Sequence, residues 1–238
     1  MKTFILLMSL SAGLAQGIHA QSFCASDGQS TPVLLLERFI SADCESCWSA
    51  PPDTPPASGA LTLDWIVPSN QADEAPLSAA ASREALLRLE ALGQPVPKTQ
   101  LQTSHPVDAS RSKKLRVAHG LAFGGYIGAS IELKSDSSDK RLPQAKKELN
   151  AYLVLVESIP AGSEGTPIAR NLVRNVLLLE WNQRAQLPPS EQIRFYELRP
   201  LNIPQGASPE RLRVLGWVQD ASGHVLSAAQ SVCAEQSR

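Results

Sequence analysis

A charge of one sign is what this chain lacks first: 22 Lys and Arg stand against 23 Asp and Glu, for a formal net charge of −1. Proteins that hold nucleic acid or other polyanions need a basic footprint, so that class of partner is set aside. After the first 20 residues no apolar run approaches the roughly 18 residues of a membrane-crossing helix, so no membrane span is expected. Aromatic residues make up 5 % of the chain, and Trp48, Trp65, Trp181 and Trp217 are scattered, which suits core or rim positions better than a stacking platform. There is no Gly-x-Ser-x-Gly elbow, no internal repeat, and no glycine motif opening a helix to cradle phosphate. Gly124-Gly125-x-x-Gly128 falls inside a strand pattern instead. No cofactor is expected.

What is present begins with an export leader over residues 1–20. Lys2 supplies the charge, Phe4 to Ala15 is mostly apolar, and Ile18-His19-Ala20 puts a small residue before the cut. Without a lipobox cysteine near that cut, a periplasmic or secreted protein starting near Gln21 is expected. The remaining chain is long enough for a real hydrophobic core, so disulfides are not needed merely for it to fold. Its cysteines are Cys24, Cys44, Cys47 and Cys233, and four cysteines allow three pairings. We favour Cys44 with Cys47 and Cys24 with Cys233. The second bridge joins the two ends of the mature chain, and on a chain-entropy account closing so long a loop contributes roughly 5 kcal/mol.

Taken in order, Val33 to Ile40 reads as an apolar strand that delivers Cys44-Glu45-Ser46-Cys47. A strand presenting Cys-x-x-Cys is how thioredoxin-like redox sites are built. Pro51, Pro52, Pro55 and Pro56 then forbid a regular helix beyond its first turn. Leu61 to Val67 reads as a second strand. Leu77 to Leu92 is expected as a helix, with Arg83, Glu84, Arg88 and Glu90 on its solvent side and Glu84 paired with Arg88. Gln94 to Ser112 is polar and Pro-containing and marks a domain change. Short strands follow at Leu115–Ala118, Ala122–Leu133, Ala151–Glu157, Leu172–Trp181, Ile193–Leu198, Arg211–Gln219 and His224–Cys233, the last two joined by a turn at Asp220-Ala221-Ser222-Gly223. The expected fold class is α/β: an abbreviated thioredoxin-like part over residues 21–112, then a β-rich antiparallel part over residues 113–238.

The run Val33 to Cys47, followed by Pro51-Pro52-Asp53, resembles the secreted thioredoxin-like proteins of the domain-of-unknown-function 1223 family, as do Ala151 to Glu157, Arg170 to Asn175 and Val214 to Asp220. Trp48 stands where that family has the first proline after the pair, and its Tyr-Thr-Pro-Gln segment has no counterpart here; Pro97 and Pro106 are the nearest prolines. The resemblance implies a thioredoxin-like core and export. In such a site Cys44 attacks and Cys47 is the buried resolving thiol, exchanging with thiols of cell-envelope proteins. Asp43 and Glu45 flank Cys44 with negative charge and disfavour its thiolate, so exchange is expected to be sluggish. The alternative is a catalytically inactive binding or scaffold protein with structural disulfides. A metal reading, with Cys44 and Cys47 joined by His105, His119 or His224, has no ligand spacing behind it.

Overall fold

A computed structural model describes residues 24–51, 55–108, 115–134, 149–181 and 194–233. The expected leader at residues 1–20 and Asp53 of the family-like motif lie outside the described residues. The elements run β1 (Cys24–Ala25), β2 (Leu34–Ser41), α1 (Glu45–Ser49), β3 (Ala60–Val67), α2 (Arg83–Ala91), β4 (Gln100–Pro106), β5 (Leu115–Phe123), β6 (Tyr126–Lys134), β7 (Leu149–Ile159), β8 (Arg170–Trp181), β9 (Arg194–Asn202), β10 (Leu212–Asp220), β11 (Val225–Gln230) and β12 (Val232–Cys233). No helix among the described residues is long and apolar enough to cross a membrane.

The expected thioredoxin-like α/β class is wrong. Strands account for 55 % of the structure and helix for 13 %, arranged as two sheets, so the fold is predominantly β. The helices are short for local reasons. Ala50 is already extended and Pro51 follows it, so α1 stops after Ser49. Only the second half of the expected Leu77–Leu92 helix forms as α2, because residues 72–80 are spent on two 3-10 turns and Ser82 caps α2 with its side chain. Gln100–Pro106, read as part of a linker, is instead an edge strand paired along β2. The run Ala122 to Leu133 is not one strand. Gly124 and Gly125 both have positive φ, as a two-residue hairpin turn demands, and fold β5 back on β6 with Phe123 opposite Tyr126.

One sheet has the order β12-β1-β5-β6-β9, the other β11-β10-β7-β8-β3-β2-β4. Strands from before and after residue 112 therefore share the larger sheet, and they meet between β3 and β8. That seam is unusual. Most neighbours pair over many residues, whereas parallel β3 and β8 share the single ladder pair Asp64–Leu172. At the far ends, Val107 just after β4 bridges to Val225 of β11, and the Asp108 N–H donates to the Val225 carbonyl at 3.2 Å. The sheet thus curls until its edges touch at one point. Phe39, Leu63, Trp65, Val154, Trp217 and Val225 fill its concave side together with Ala85 and Leu89 of α2. Its other face packs on the smaller sheet through Val117, Ile131, Leu153, Leu155 and Val214. With both faces covered, β7 reads as a continuous apolar run from Ala151 to Val156.

Gly216 on β10 marks the closest approach of the two sheets. A Cβ there would meet Val117 Cγ1 at 2.7 Å, Ile131 Cδ1 at 3.0 Å and the Tyr152 carbonyl oxygen at 3.2 Å. Overpacking of this kind costs about 1–3 kcal/mol, so Gly216→Ala is expected to lower the unfolding free energy by that much, read as a lower denaturant midpoint at unchanged m, with the circular dichroism of the fold unchanged.

Candidate functional site

The Cys-x-x-Cys loop leaves the end of β2 through a turn in which the Cys44 N–H donates to the Ser41 carbonyl at 2.9 Å. Cys44 is the N-cap of α1, and the Cys47 and Trp48 N–H groups return to its carbonyl at 3.0 and 3.3 Å. The structure joins Cys44 to Cys47 by a disulfide, and Cys24 to Cys233. Exposure is the reverse of the roles expected from sequence: Cys44 is 8 % exposed, whereas Cys47 is half-buried. Cys44 packs with Ile40, Ala42, Trp48, Ile66 and Leu172.

The C-terminal end of α1 is held by one side chain. Arg170 Nη2 donates to the carbonyls of Cys47, Trp48 and Ala50 at 3.3, 2.6 and 3.4 Å. These are carbonyls that the helix end leaves without partners, and a cation there also suits the helix dipole. The same guanidinium lies 4.6 Å over the Trp48 ring, and Trp48 Nε1 donates to the Glu164 carbonyl at 2.8 Å. Trp48 is therefore a buried anchor, not a surface for a partner.

Arg170 is itself fixed by Asp64, which is fully buried on β3. Arg170 Nη1 donates to Asp64 Oδ1 at 3.0 Å, while Arg38, the direct neighbour of Asp64 across β2, reaches the carboxylate at 2.8 and 2.9 Å. The Asn171 N–H adds a bond of 3.1 Å to Oδ2, and its side-chain amide donates to the Thr62 carbonyl at 2.9 Å. Burial pulls the Arg170 pKa down and Asp64 opposes it; Arg38, a second cation at the same carboxylate, pulls it down further. Two cations on one carboxylate leave this buried cluster with a net positive charge behind α1.

A second buried cluster lies on the concave side. Glu37, fully buried, takes hydrogen bonds from Arg88 Nε and Nη2 at 2.9 and 2.6 Å. Arg88 was expected on a solvent face beside Glu84. It is 3 % exposed instead, because its guanidinium is covered by the Tyr152 and Trp217 rings at 4.8 and 5.2 Å. His105 Nε2 stands 3.7 Å from Glu37; burial lowers its pKa, Glu37 opposes that, and Arg88 reinforces it.

No known protein family, curated protein or solved structure matches this chain. The reading of the site therefore rests on its own geometry.

At Cys44 that geometry is sparse. The one hydrogen-bonding neighbour of its Sγ among the described residues is Ser46 Oγ at 3.6 Å. Asp43 is exposed and accepts from Ser69 at 2.7 Å, and Glu45 is exposed in the first turn of α1. The histidines considered as metal partners lie elsewhere: His105 by Glu37, His224 by Asp220 in the β10–β11 turn, and His119 beside Cys24. No peptide bond among the described residues is cis, Pro97 and Pro106 included. A groove of about 600 Å³ runs past the end of α1, lined by Pro51, Pro55 and Pro56 together with Ile159, Ile168 and Asn171.

What sequence reasoning missed are the buried charges Glu37, Arg38, Asp64, Arg88, Glu157 and Arg170. Their signal was visible: each of Glu37, Arg38, Asp64 and Glu157 interrupts an otherwise apolar strand, where an ionised group survives only with a partner. Glu157 takes Arg174 on one oxygen and Arg211 on the other, both at 2.6 Å, and Arg211 continues to Glu164 beneath Trp48.

Arg170→Met removes the cap of α1 and one partner of a buried carboxylate. Breaking such a pair costs about 3–5 kcal/mol. We expect that loss in equilibrium unfolding, with amide exchange accelerating first over residues 45–50.

The pH dependence follows from Glu157. Burial pushes its carboxyl up, but hydrogen bonds from Arg174 and the Ser208 N–H, with the charges of Arg174 and Arg211, more than offset this and hold it below its ordinary value of 4.5. A carboxyl lowered in the folded chain stabilises it above the ordinary value, and that contribution disappears as pH falls through the folded value. Stability is expected to drop on acidification below about pH 4.5, with a shallower drop in Glu157→Gln, measured by thermal unfolding across pH.

Proposed function

We propose that this is an exported protein that exchanges thiols and disulfides with cell-envelope proteins through Cys44 and Cys47, with Cys47 as the sulfur open to the partner. The observation that carries the reading is a difference between the two bridges. Cys24–Cys233 closes 209 residues and Cys44–Cys47 only 3, so on the chain-entropy account they contribute about 5 and about 2 kcal/mol. The short bridge is also redundant as a brace, because Arg170 and Trp48 already hold the segment it closes. A disulfide with little structural work, one of whose cysteines is only half-buried, is suited to being opened. Two disulfides and the leader expected at residues 1–20 favour an oxidising compartment outside the cytosol.

In the exchange, a partner thiolate attacks Cys47 Sγ and the Cys44–Cys47 bond breaks, leaving Cys44 as thiolate. A second partner thiol then attacks the mixed disulfide and releases Cys47. Two electrons and two protons pass to this chain, and the partner leaves with a new disulfide. The groove beside Pro51 and Ile159 offers an extended partner segment a place next to α1.

The burial of Cys44 and the acidic residues beside it favour a second reading, a binding or scaffold protein in which both bridges only brace the fold. Trapping separates the two. Cys44→Ser is expected to accumulate mixed disulfides at Cys47 with envelope proteins, and Cys47→Ser far fewer. If neither variant traps a partner and the native pair resists glutathione buffers near about −200 mV, exchange is excluded and the brace reading stands.

A further inference from the structure

Away from that pair, three strands bring a second set of sulfur and nitrogen atoms together. Cys233 on β12 lies directly opposite Cys24 on β1, and Cys24 lies directly opposite His119 on β5. Residues paired across neighbouring antiparallel strands project from the same face, so the three side chains form one row. Their ligand atoms all lie within 4.8 Å of one another. The row is shut off from water at its centre, with Cys24 1 % and His119 4 % exposed, while Cys233 at its end is half-buried.

His119 is the informative member. Its Nδ1 stands 2.8 Å from the Gly120 carbonyl oxygen. A carbonyl only accepts, so Nδ1 carries the proton and Nε2 is left with a free lone pair. That Nε2 is buried and has no hydrogen-bond partner. Burial lowers the pKa of the ring; the Gly120 bond opposes this and the charge of Arg213 adds to it. A ring whose one nitrogen is held by a carbonyl while the other is bare is the arrangement of a metal-ligating histidine.

We propose that reduction of the Cys24–Cys233 disulfide turns this row into a copper(I) site, with Cys24 Sγ, Cys233 Sγ and His119 Nε2 as its ligands. Two thiolates and an imidazole are a soft set that selects copper(I), whereas structural zinc takes four ligands and the cluster has three. Opening the bridge consumes two electrons and two protons from a dithiol, or from two monothiols, which leaves as its own disulfide. Binding then releases the thiol protons to solvent as the copper ion takes their place, and the ion stays copper(I) throughout. Copper thereby reports on the redox state of the bridge that ties the chain ends together. The site shares no residue with Cys44 and Cys47 and does not depend on the exchange reading.

The test uses the full chain with Cys44→Ser and Cys47→Ser, reduced with a phosphine that is then removed without air, and titrated with copper(I) against a bathocuproine chelator. One copper(I) per chain is expected after reduction and none before it. His119→Gln should weaken binding about tenfold or more. X-ray absorption of the bound metal should show two sulfur neighbours and one nitrogen. Thermal unfolding supplies a readout that survives partial loss of structure on reduction, because an ion held only by the folded chain raises Tm. Equal binding by the oxidised protein, a sulfur-only shell, tighter binding of zinc than of copper(I), or no rise in Tm of the reduced chain with copper(I) would each overturn the proposal.

Discussion

Asp64 carries a negative charge with no access to water, and the arrangement around it is what that condition demands. Its oxygens are taken by Arg38 on the neighbouring strand, by Arg170 at the start of β8 and by the Asn171 N–H. The larger sheet is weakest at the same place, since β3 and β8 share one backbone pair. Side-chain bonds from Arg170 and Asn171 stand in for the missing ladder, so the sheet is continuous because the charge is satisfied. Losing one partner there leaves a charge buried and unpaired, which costs far more than a surface ion pair contributes.

From that seam the constraint reaches the Cys44–Cys47 loop. Arg170 holds Asp64 with one nitrogen and the last carbonyls of α1 with another, so the position of a five-residue helix, too short to be stable by itself, is set from the sheet. Trp48 extends the connection through Glu164 and Arg211 to Glu157 on β7. The loop is thus held from the sheet through Arg170 and Trp48 as well as by its own disulfide. The long bridge is different in kind. Cys24 and Cys233 tie together two-residue strands at the edge of the smaller sheet, which the β1–β5 pairing and the bonds of Ser26 to Val117 and Ser231 to Val214 also hold in place.

The strands were legible to a large extent. Apolar runs such as Leu34 to Ile40, Ala151 to Val156 and Leu212 to Val218 declare themselves, and the Asp220 to Gly223 turn does join β10 to β11. The helical readings fared worse, for a common reason. The spacing of Leu77, Ala81, Ala85, Leu89 and Leu92 suits a helix, but Leu77 packs beneath α1 from a 3-10 turn while Leu89 faces the concave core. Periodicity assumes that charged residues mark the solvent side, and Arg88 breaks that assumption because Glu37 and two aromatic rings wait for it inside. Gln100–Pro106, polar and Pro-ended, carries no local strand signal; it is a strand because β2 needed a partner at its free edge.

By itself the sequence determined where the chain can extend and turn, that Pro51 and its neighbours cut short any helix after Cys47, and which four cysteines were available to pair. Those are local properties, set by backbone sterics and by side-chain polarity along a few residues. The tertiary structure decided that Asp64 meets Arg170 across 106 residues, that Glu37 meets Arg88 across 51, and that His119 lies beside a bridge between the two ends of the chain. A buried charge must find a partner wherever the fold can bring one, and sequence distance says nothing about which one that is.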